Sequence, residues 1–248
     1  MGETGDVTAP SLSPLAGVFG GGGLFGIGYA LGVVDGLRER GIDLTGCPML
    51  GTSAGSWAAA AAALSIPFEH LVSLDVPRFP NPRAGVLATV AREAFGEATD
   101  SRVRVVATQL PRMKRVVLSG ADYPLADLVA ASSSVPGLLA PHLVGGKRYV
   151  DGGVRSGVSV DLADPALLLV VIAPLAGAMF GPFGKYVDRR TDAEQIEWSR
   201  HNLGRFLEFS PRNTTAHIVT LPHHLFDKAR AIEAYHHGRA EVAVTVIE

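Results

Sequence analysis

Short apolar runs alternate with helix-period segments along most of this chain. "LAGVF" (15–19) predicts a buried strand. Beyond the glycines that follow it, Ile27, Ala30, Leu31, Val34 and Leu37 share one face of a helix that ends near Gly41. "CPML" (47–50) predicts a short strand, followed by a turn and an alanine-rich helix that Pro67 terminates. The stretch 75–85 is proline-rich and aperiodic, a long loop or short lid. "RVRVVAT" (102–108) and "RVVLS" (115–119) read as strands of one hairpin, and "HLVGGKRYV" (142–150) as a second hairpin turning at Gly-Gly. "ALLLVVI" (166–172) has the unbroken apolar character of a strand buried on both faces. Thr191 and Glu194 have capping-box spacing for a helix to about residue 208. "HIVTL" (217–221) predicts a further strand, with a last helix after Pro222. The pattern without repeats predicts an α/β fold: a three-layer α/β/α sandwich around a mostly parallel sheet. It extends over residues 15–248, behind a disordered tail at 1–14.

A chain of 248 residues can bury one sizeable core. Its hydrophobic fraction of 47% raises the question of a membrane span. The most apolar windows, "WAAAAAALSI" and "PALLLVVIAPLAGAMF", are broken before the roughly 20 residues a span needs. The acidic, polar N-terminal stretch does not read as a secretory signal, and Asp6 stands where a myristoylation motif wants a hydroxyl. A single cysteine, Cys47, rules out an internal disulfide and a multi-cysteine metal site. These features predict a cytoplasmic protein with no metal and no cofactor. The net charge of −2 gives no reason to expect nucleic acid, and nothing indicates an oligomeric state.

The chemistry begins at "GTSAG" (51–55). G-x-S-x-G between a strand and a helix is the spacing of a sharp turn that exposes a serine nucleophile. Gly51 and Gly55 remove side chains that would collide around Ser53. The earlier "GGGGLFG" (20–26) admits two readings. Gly21, Gly23 and Gly26 fit a dinucleotide fingerprint, but its acidic partner should lie at the end of the second strand. Asp43 precedes that strand, and the serine turn occupies its end. The other reading takes the bare N–H groups of Gly21, Gly22 and Gly23 as donors to the oxyanion of an acyl-transfer intermediate, helped by the helix that opens at Gly26.

A serine nucleophile needs a base. Asp151, in "RYVDGGV", stands at a predicted strand end with Gly152 and Gly153 leaving space around it. A turn aspartate before Gly-Gly is the plainer interpretation of that residue alone. The alternative is a triad with His217, His223 or His224 following Ser53 and Asp151 in the order of the α/β-hydrolases. Only two predicted strands precede Ser53, too few for that fold. His70 and His142 have no orienting acid near them in sequence.

Together, "GGGGLFG", "GTSAGS" and "ASSSVPGLLAPHLVGGKRYVDGGV" resemble the patatin-like phospholipases, from about Val18 to Val154. That resemblance implies a lipid acyl hydrolase with a Ser–Asp dyad: Ser53 as nucleophile, Asp151 as general base, and Gly21 to Gly23 as the oxyanion loop. It also implies hydrolysis independent of calcium. In the family an arginine usually precedes the last glycine of the loop, and here Phe25 stands there. Phe25 becomes a candidate for the acyl-binding wall. "PLAGAMFGPFGKY" (174–186) places Met179, Phe180 and Phe183 near Lys185, Arg189 and Arg190. It is read as a loop folded onto the core, with peripheral contact to a lipid surface as the alternative. "RMKR" (112–115) is read as a solvated turn. A catalytically idle lipid-binding protein and a dinucleotide-binding protein remain alternatives from other classes.

Overall fold

In the computed structural model, which describes residues 12–247, an eight-stranded sheet lies between helical layers. The chain forms β1 (Ser13–Phe19), α1 (Gly23–Glu39), β2 (Met49–Thr52), α2 (Ala54–Ala63), α3 (Phe68–Ser73) and α4 (Val86–Phe95). It continues through β3 (Val103–Gln109), β4 (Lys114–Ser119), α5 (Leu125–Ser132), β5 (His142–Val144), β6 (Lys147–Asp151) and β7 (Ala166–Ile172). α6 (Pro182–Ser199), β8 (Arg205–Phe209), α7 (Asn213–Ala216) and α8 (Lys228–Ala243) complete it. β3, β2, β1, β7 and β8 run parallel in that order, while the β3–β4 and β5–β6 pairs are antiparallel hairpins. The expected α/β sandwich is the observed fold. The tail expected at 1–14 lies outside the described residues up to position 11, and β1 already includes Ser13 and Pro14.

Period-two alternation along the strands builds two cores. Phe19, Met49, Val105, Val170 and Ile172 face the layer of α1, α2, α5 and α8. Val18, Leu50, Val106 and Val171 face Val187 and Trp198 of α6, with Val158 and Val160. α1 is buried almost all round because α8 lies against it backbone to backbone. A Cβ at Gly28 or Gly32 would stand 2.1 or 2.0 Å from the carbonyl oxygens of Ala231 and Tyr235. Among the described residues, no helix is long and apolar enough to cross a membrane.

Several expected elements differ. The helix placed at 191–208 is α6, opened by Pro182 and finished at Ser199, and β8 follows it as a parallel strand beside β7. Thr191 and Glu194 are buried in its middle rather than at an N-terminus. The Glu194 carboxylate accepts the Val160 N–H at 3.1 Å and pairs with Arg115 and Arg190, so it ties a loop to the helix. "HIVTL" is no strand: it begins at the end of α7, and Ile218 and Val219 are buried in successive turns. The strand expected at 47–50 starts at Met49 and runs into the serine turn. The proline-rich stretch is irregular as expected, but α3 and α4, which flank it, were not foreseen.

Candidate active site

Ser53 joins β2 to α2 with φ 53° and ψ −124°, a left-handed backbone that a residue with a Cβ adopts only at a cost. The glycines at either side permit the turn. A Cβ at Gly51 would stand 2.4 Å from the Cα of Ser56, and one at Gly55 would stand 2.0 Å from the carbonyl oxygen of Phe19. Hydrogen bonds hold the strained turn. The Ser53 N–H donates to the Ser132 Oγ at 2.9 Å, and the Ser132 hydroxyl donates to the carbonyl of Val106 at 2.7 Å. The Ser53 carbonyl accepts from both the N–H and the hydroxyl of Ser56.

Asp151 reaches this turn through strand register. On one edge of β3, Thr52 pairs with Val106 and Asp151 pairs with Ala107, while β4 occupies the opposite edge. β2 and β6 therefore meet end to end beside β3. The Ser53 hydroxyl donates to Asp151 Oδ2 at 2.6 Å, and the Gly153 N–H donates to Oδ1 at 2.6 Å. Gly152 lets the chain turn here, since a Cβ would stand 2.3 Å from the Val106 carbonyl oxygen. Asp151 is only 4% exposed. Burial pushes its carboxyl up to about 6, and the hydrogen bonds from Ser53 and Gly153 oppose that rise only in part.

None of the eight histidines hydrogen-bonds Ser53 or Asp151. His217 contacts the Asn213 carbonyl, His224 contacts Thr220, and His142 pairs with Asp127. The histidine triad thus has no geometry behind it. Asp43 receives the Thr45 N–H in the turn before β2, at the opposite end of the parallel strands from the glycine loop. It is not placed to serve a nucleotide bound at those glycines.

The glycine loop lies beside Ser53, and a Cβ at Gly21 would stand 3.4 Å from the serine Cβ. One expected donor must be corrected. The Gly21 N–H is spent on the Gly157 carbonyl at 2.9 Å, just as that of Gly20 is spent on Ile172. Among the described residues no protein acceptor takes the N–H of Gly22 or Gly23. Gly22, at φ 151°, caps α1, which begins at Gly23 rather than Gly26.

A cavity of about 480 Å³ opens over the pair. Its wall includes Leu24, Ile27, Leu71, Val90, Leu139 and Leu175. The aromatic candidates divide. Phe25 is fully buried in the helical core and stacks on Tyr29 with centroids 6.3 Å apart, outside the cavity wall. Met179 is likewise core, and Phe180 packs partly buried against it. Only Phe183 lines the cavity, and it is 47% exposed at the start of α6.

Several contributors were not singled out from the sequence. The resemblance implies that "ASSSVPG" is a small-residue approach to the active site, and the plainer reading is a polar loop after a helix, but neither gives the serines the separate tasks they have. Ser132 holds the Ser53 backbone, Ser133 accepts from the Trp57 indole at 3.1 Å, and the Ser134 carbonyl accepts the Asp151 N–H at 2.9 Å. Trp57 and the turn Leu225–Phe226 also line the cavity.

The chain is thus an α/β protein whose central strands converge on a serine hydroxyl bonded to a buried carboxylate under an apolar cavity. A family model described as "patatin-like phospholipase" matches residues 74–164, a stretch that holds Asp151 but not Ser53. Proteins titled "uncharacterized NTE family protein", from Mycobacterium bovis and Mycobacterium tuberculosis, are 31% identical over 173 residues. Those alignments cover 62% of this chain and 48% of each relative, so the chain spans about half the length of the curated relatives it matches. The crystal structure of VipD from Legionella pneumophila aligns with 94% of this chain and 67% of its own, at 14% identity and a TM-score of 0.46. Over residues 74–164, then, this chain is similar to the patatin-like phospholipases, and over 62% of its length to the NTE family proteins.

Proposed function

We propose that this chain hydrolyses acyl esters of lipids, with Ser53 as nucleophile and Asp151 as general base. The observation that carries the reading is the 2.6 Å hydrogen bond from Ser53 Oγ to a buried carboxylate at the floor of an apolar cavity. An ordinary solvated aspartate is too weak a base to help a serine much. Burial brings this one nearer to neutral pH, where it is still mostly ionised and accepts a proton more readily.

As Ser53 Oγ attacks the ester carbonyl, its proton passes to Asp151 Oδ2 and the carbonyl oxygen takes up negative charge. The N–H groups of Gly22 and Gly23, at the positive end of α1, are the proposed donors to that oxygen. Collapse of the intermediate returns the proton from Asp151 to the leaving alcohol. Water, deprotonated by the same carboxylate, then releases the acyl group and restores Ser53. Gly26, Gly51, Gly55, Gly152 and Gly153 support the geometry. No step calls for a metal or cofactor. The acyl hydrolase unit is taken as residues 15–248, in a cytoplasmic protein. Phe183 and Tyr186, 47% and 58% exposed at the cavity, are the groups through which it would touch a lipid surface peripherally.

The test is hydrolysis of p-nitrophenyl esters of graded chain length by the wild type, Ser53→Ala, Asp151→Asn and the double variant His223→Ala/His224→Ala. Activity should fall by about 10⁴-fold or more in the first two and persist in the third. Loss in the double histidine variant with its fold intact would overturn the dyad. Absence of turnover on any ester would overturn the hydrolase reading itself and leave lipid or dinucleotide binding to be measured.

A further inference from the structure

The cavity wall carries charge in an unusual distribution. Among the described residues it contains no lysine, arginine or histidine, and Asp151 is the only one of them in the wall with a side chain charged near neutral pH. Its few other polar groups are largely committed. The Ser133 hydroxyl accepts from the Trp57 indole, and the Ser53 hydroxyl donates to Asp151. Phe25 is sealed in the core, so no cation stands beside the glycine loop through that position. Arg155 and Lys185 neighbour the lining residues Val154 and Tyr186 in the chain, are exposed, and form no part of the wall.

We infer that the substrate is an uncharged acyl ester, such as a monoacylglycerol or a simple alkyl ester, and that phosphate-bearing lipids are poor substrates. The inference rests on the acyl hydrolase reading above. In a glycerophospholipid the phosphate lies only a few bonds from the ester carbonyl. With that carbonyl held at Ser53, the phosphate enters the same apolar space as the ionised Asp151. A buried anion needs a cation or several donors to replace its water, and this wall offers neither. The donors at Gly22 and Gly23 are reserved for the oxyanion. A glycerol or alkyl leaving group brings no such demand, and one apolar acyl chain suits a cavity of about 480 Å³.

The experiment compares 1-acylglycerol, 1-acylglycerol-3-phosphate and 1-acylglycero-3-phosphocholine of one matched short acyl chain, each below its aggregation concentration. Fatty acid release is read with the wild type and with Ser53→Ala as the background. The monoacylglycerol should have a kcat/KM about a hundredfold above that of either phosphate ester. Val154→Arg, at a lining residue that is 44% exposed and so open to a long side chain, should narrow that ratio by at least about tenfold by supplying the missing cation. Equal or faster release from the phosphate esters, or a ratio unmoved by Val154→Arg, would overturn the substrate inference while leaving the hydrolase reading intact. No Ser53-dependent release from any of the three, together with no turnover of p-nitrophenyl esters, would instead overturn the hydrolase reading.

Discussion

Asp151 stands one position beyond Thr52 along the same edge of β3, Thr52 opposite Val106 and Asp151 opposite Ala107. Two strands of opposite direction, one ending in the serine turn and one in the acid, are templated end to end by a third. The 98 residues that separate Ser53 from Asp151 in sequence are therefore bridged by sheet register rather than by a flexible loop. In the proposed reaction the pair would be held before any substrate arrives, with the reorganisation that would otherwise slow proton transfer already made.

This arrangement has a thermodynamic cost that can be measured. The folded-state carboxyl of Asp151 is raised to about 6 from an ordinary value of 3.8. Below pH 4 the group is protonated in both states and exacts nothing. As pH rises from about 4 to 6, the unfolded chain releases this proton first and stability falls. Above pH 6 both states are ionised and the penalty levels at about 3 kcal/mol. Asp151→Asn keeps the shape without the charge. Urea denaturation should find the variant more stable than wild type by up to about 3 kcal/mol at pH 8, with the gap closing towards pH 4. A gap independent of pH would show that Asp151 does not carry the penalty.

On the proposed mechanism the same titration governs the reaction. Only the ionised carboxylate can accept the Ser53 proton, so kcat/KM on a neutral ester should fall about tenfold per pH unit below 6 and level off above it. Initial rates from pH 4.5 to 8 with a substrate that does not itself titrate would check this. A midpoint near 4 would mean that the carboxylate is solvated when the protein acts on the ester.

What the sequence makes legible is what depends on neighbours in the chain. G-x-S-x-G announces its turn because Gly51 and Gly55 are demanded within that turn, by Ser56 and by the adjoining end of β1. The Gly-Gly hairpin and the aspartate at its end are equally local. Elements that answer to distant partners are harder to read. Thr191 and Glu194 have the spacing of a helix start, but Glu194 is fixed by Val160 and Arg115 from across the fold. Phe25 sits next to the glycine loop in sequence and still turns into the core, because α1 is buried on nearly every side and its period does not single out the cavity face. Ser132, Ser133 and Ser134 look alike in sequence and differ only in which remote group each one meets.

The contact between α1 and α8 should be intolerant of a single methyl group. In Gly32→Ala the new Cβ would stand 2.0 Å from the Tyr235 carbonyl oxygen and 2.8 Å from its carbonyl carbon, both backbone atoms. The helices must move apart, at a cost of about 3 kcal/mol or more. Gly46→Ala, where nothing lies within 4 Å, should stay within about 0.5 kcal/mol of wild type. Chemical denaturation of both variants would decide it, and equal stabilities would contradict the close packing.

The Ser132 hydroxyl links two backbones, accepting from the Ser53 N–H and donating to Val106, which in the proposed mechanism makes Ser132 a positioning residue. In Ser132→Ala both partners lose that bond, at about 1–2 kcal/mol of stability, and the strained φ of Ser53 loses one restraint. Neither the cavity wall nor the Asp151 carboxylate is touched. kcat should therefore fall about ten- to a hundredfold while KM stays near its wild-type value, since a mispositioned nucleophile weakens the transition state more than substrate binding. The midpoint of the pH–rate profile should remain near 6, because the environment of Asp151 is unchanged. Steady-state kinetics across pH would measure all three quantities. A raised KM with unchanged kcat would assign Ser132 to cavity shape, and a shifted midpoint would show that it acts through the acid instead of the serine.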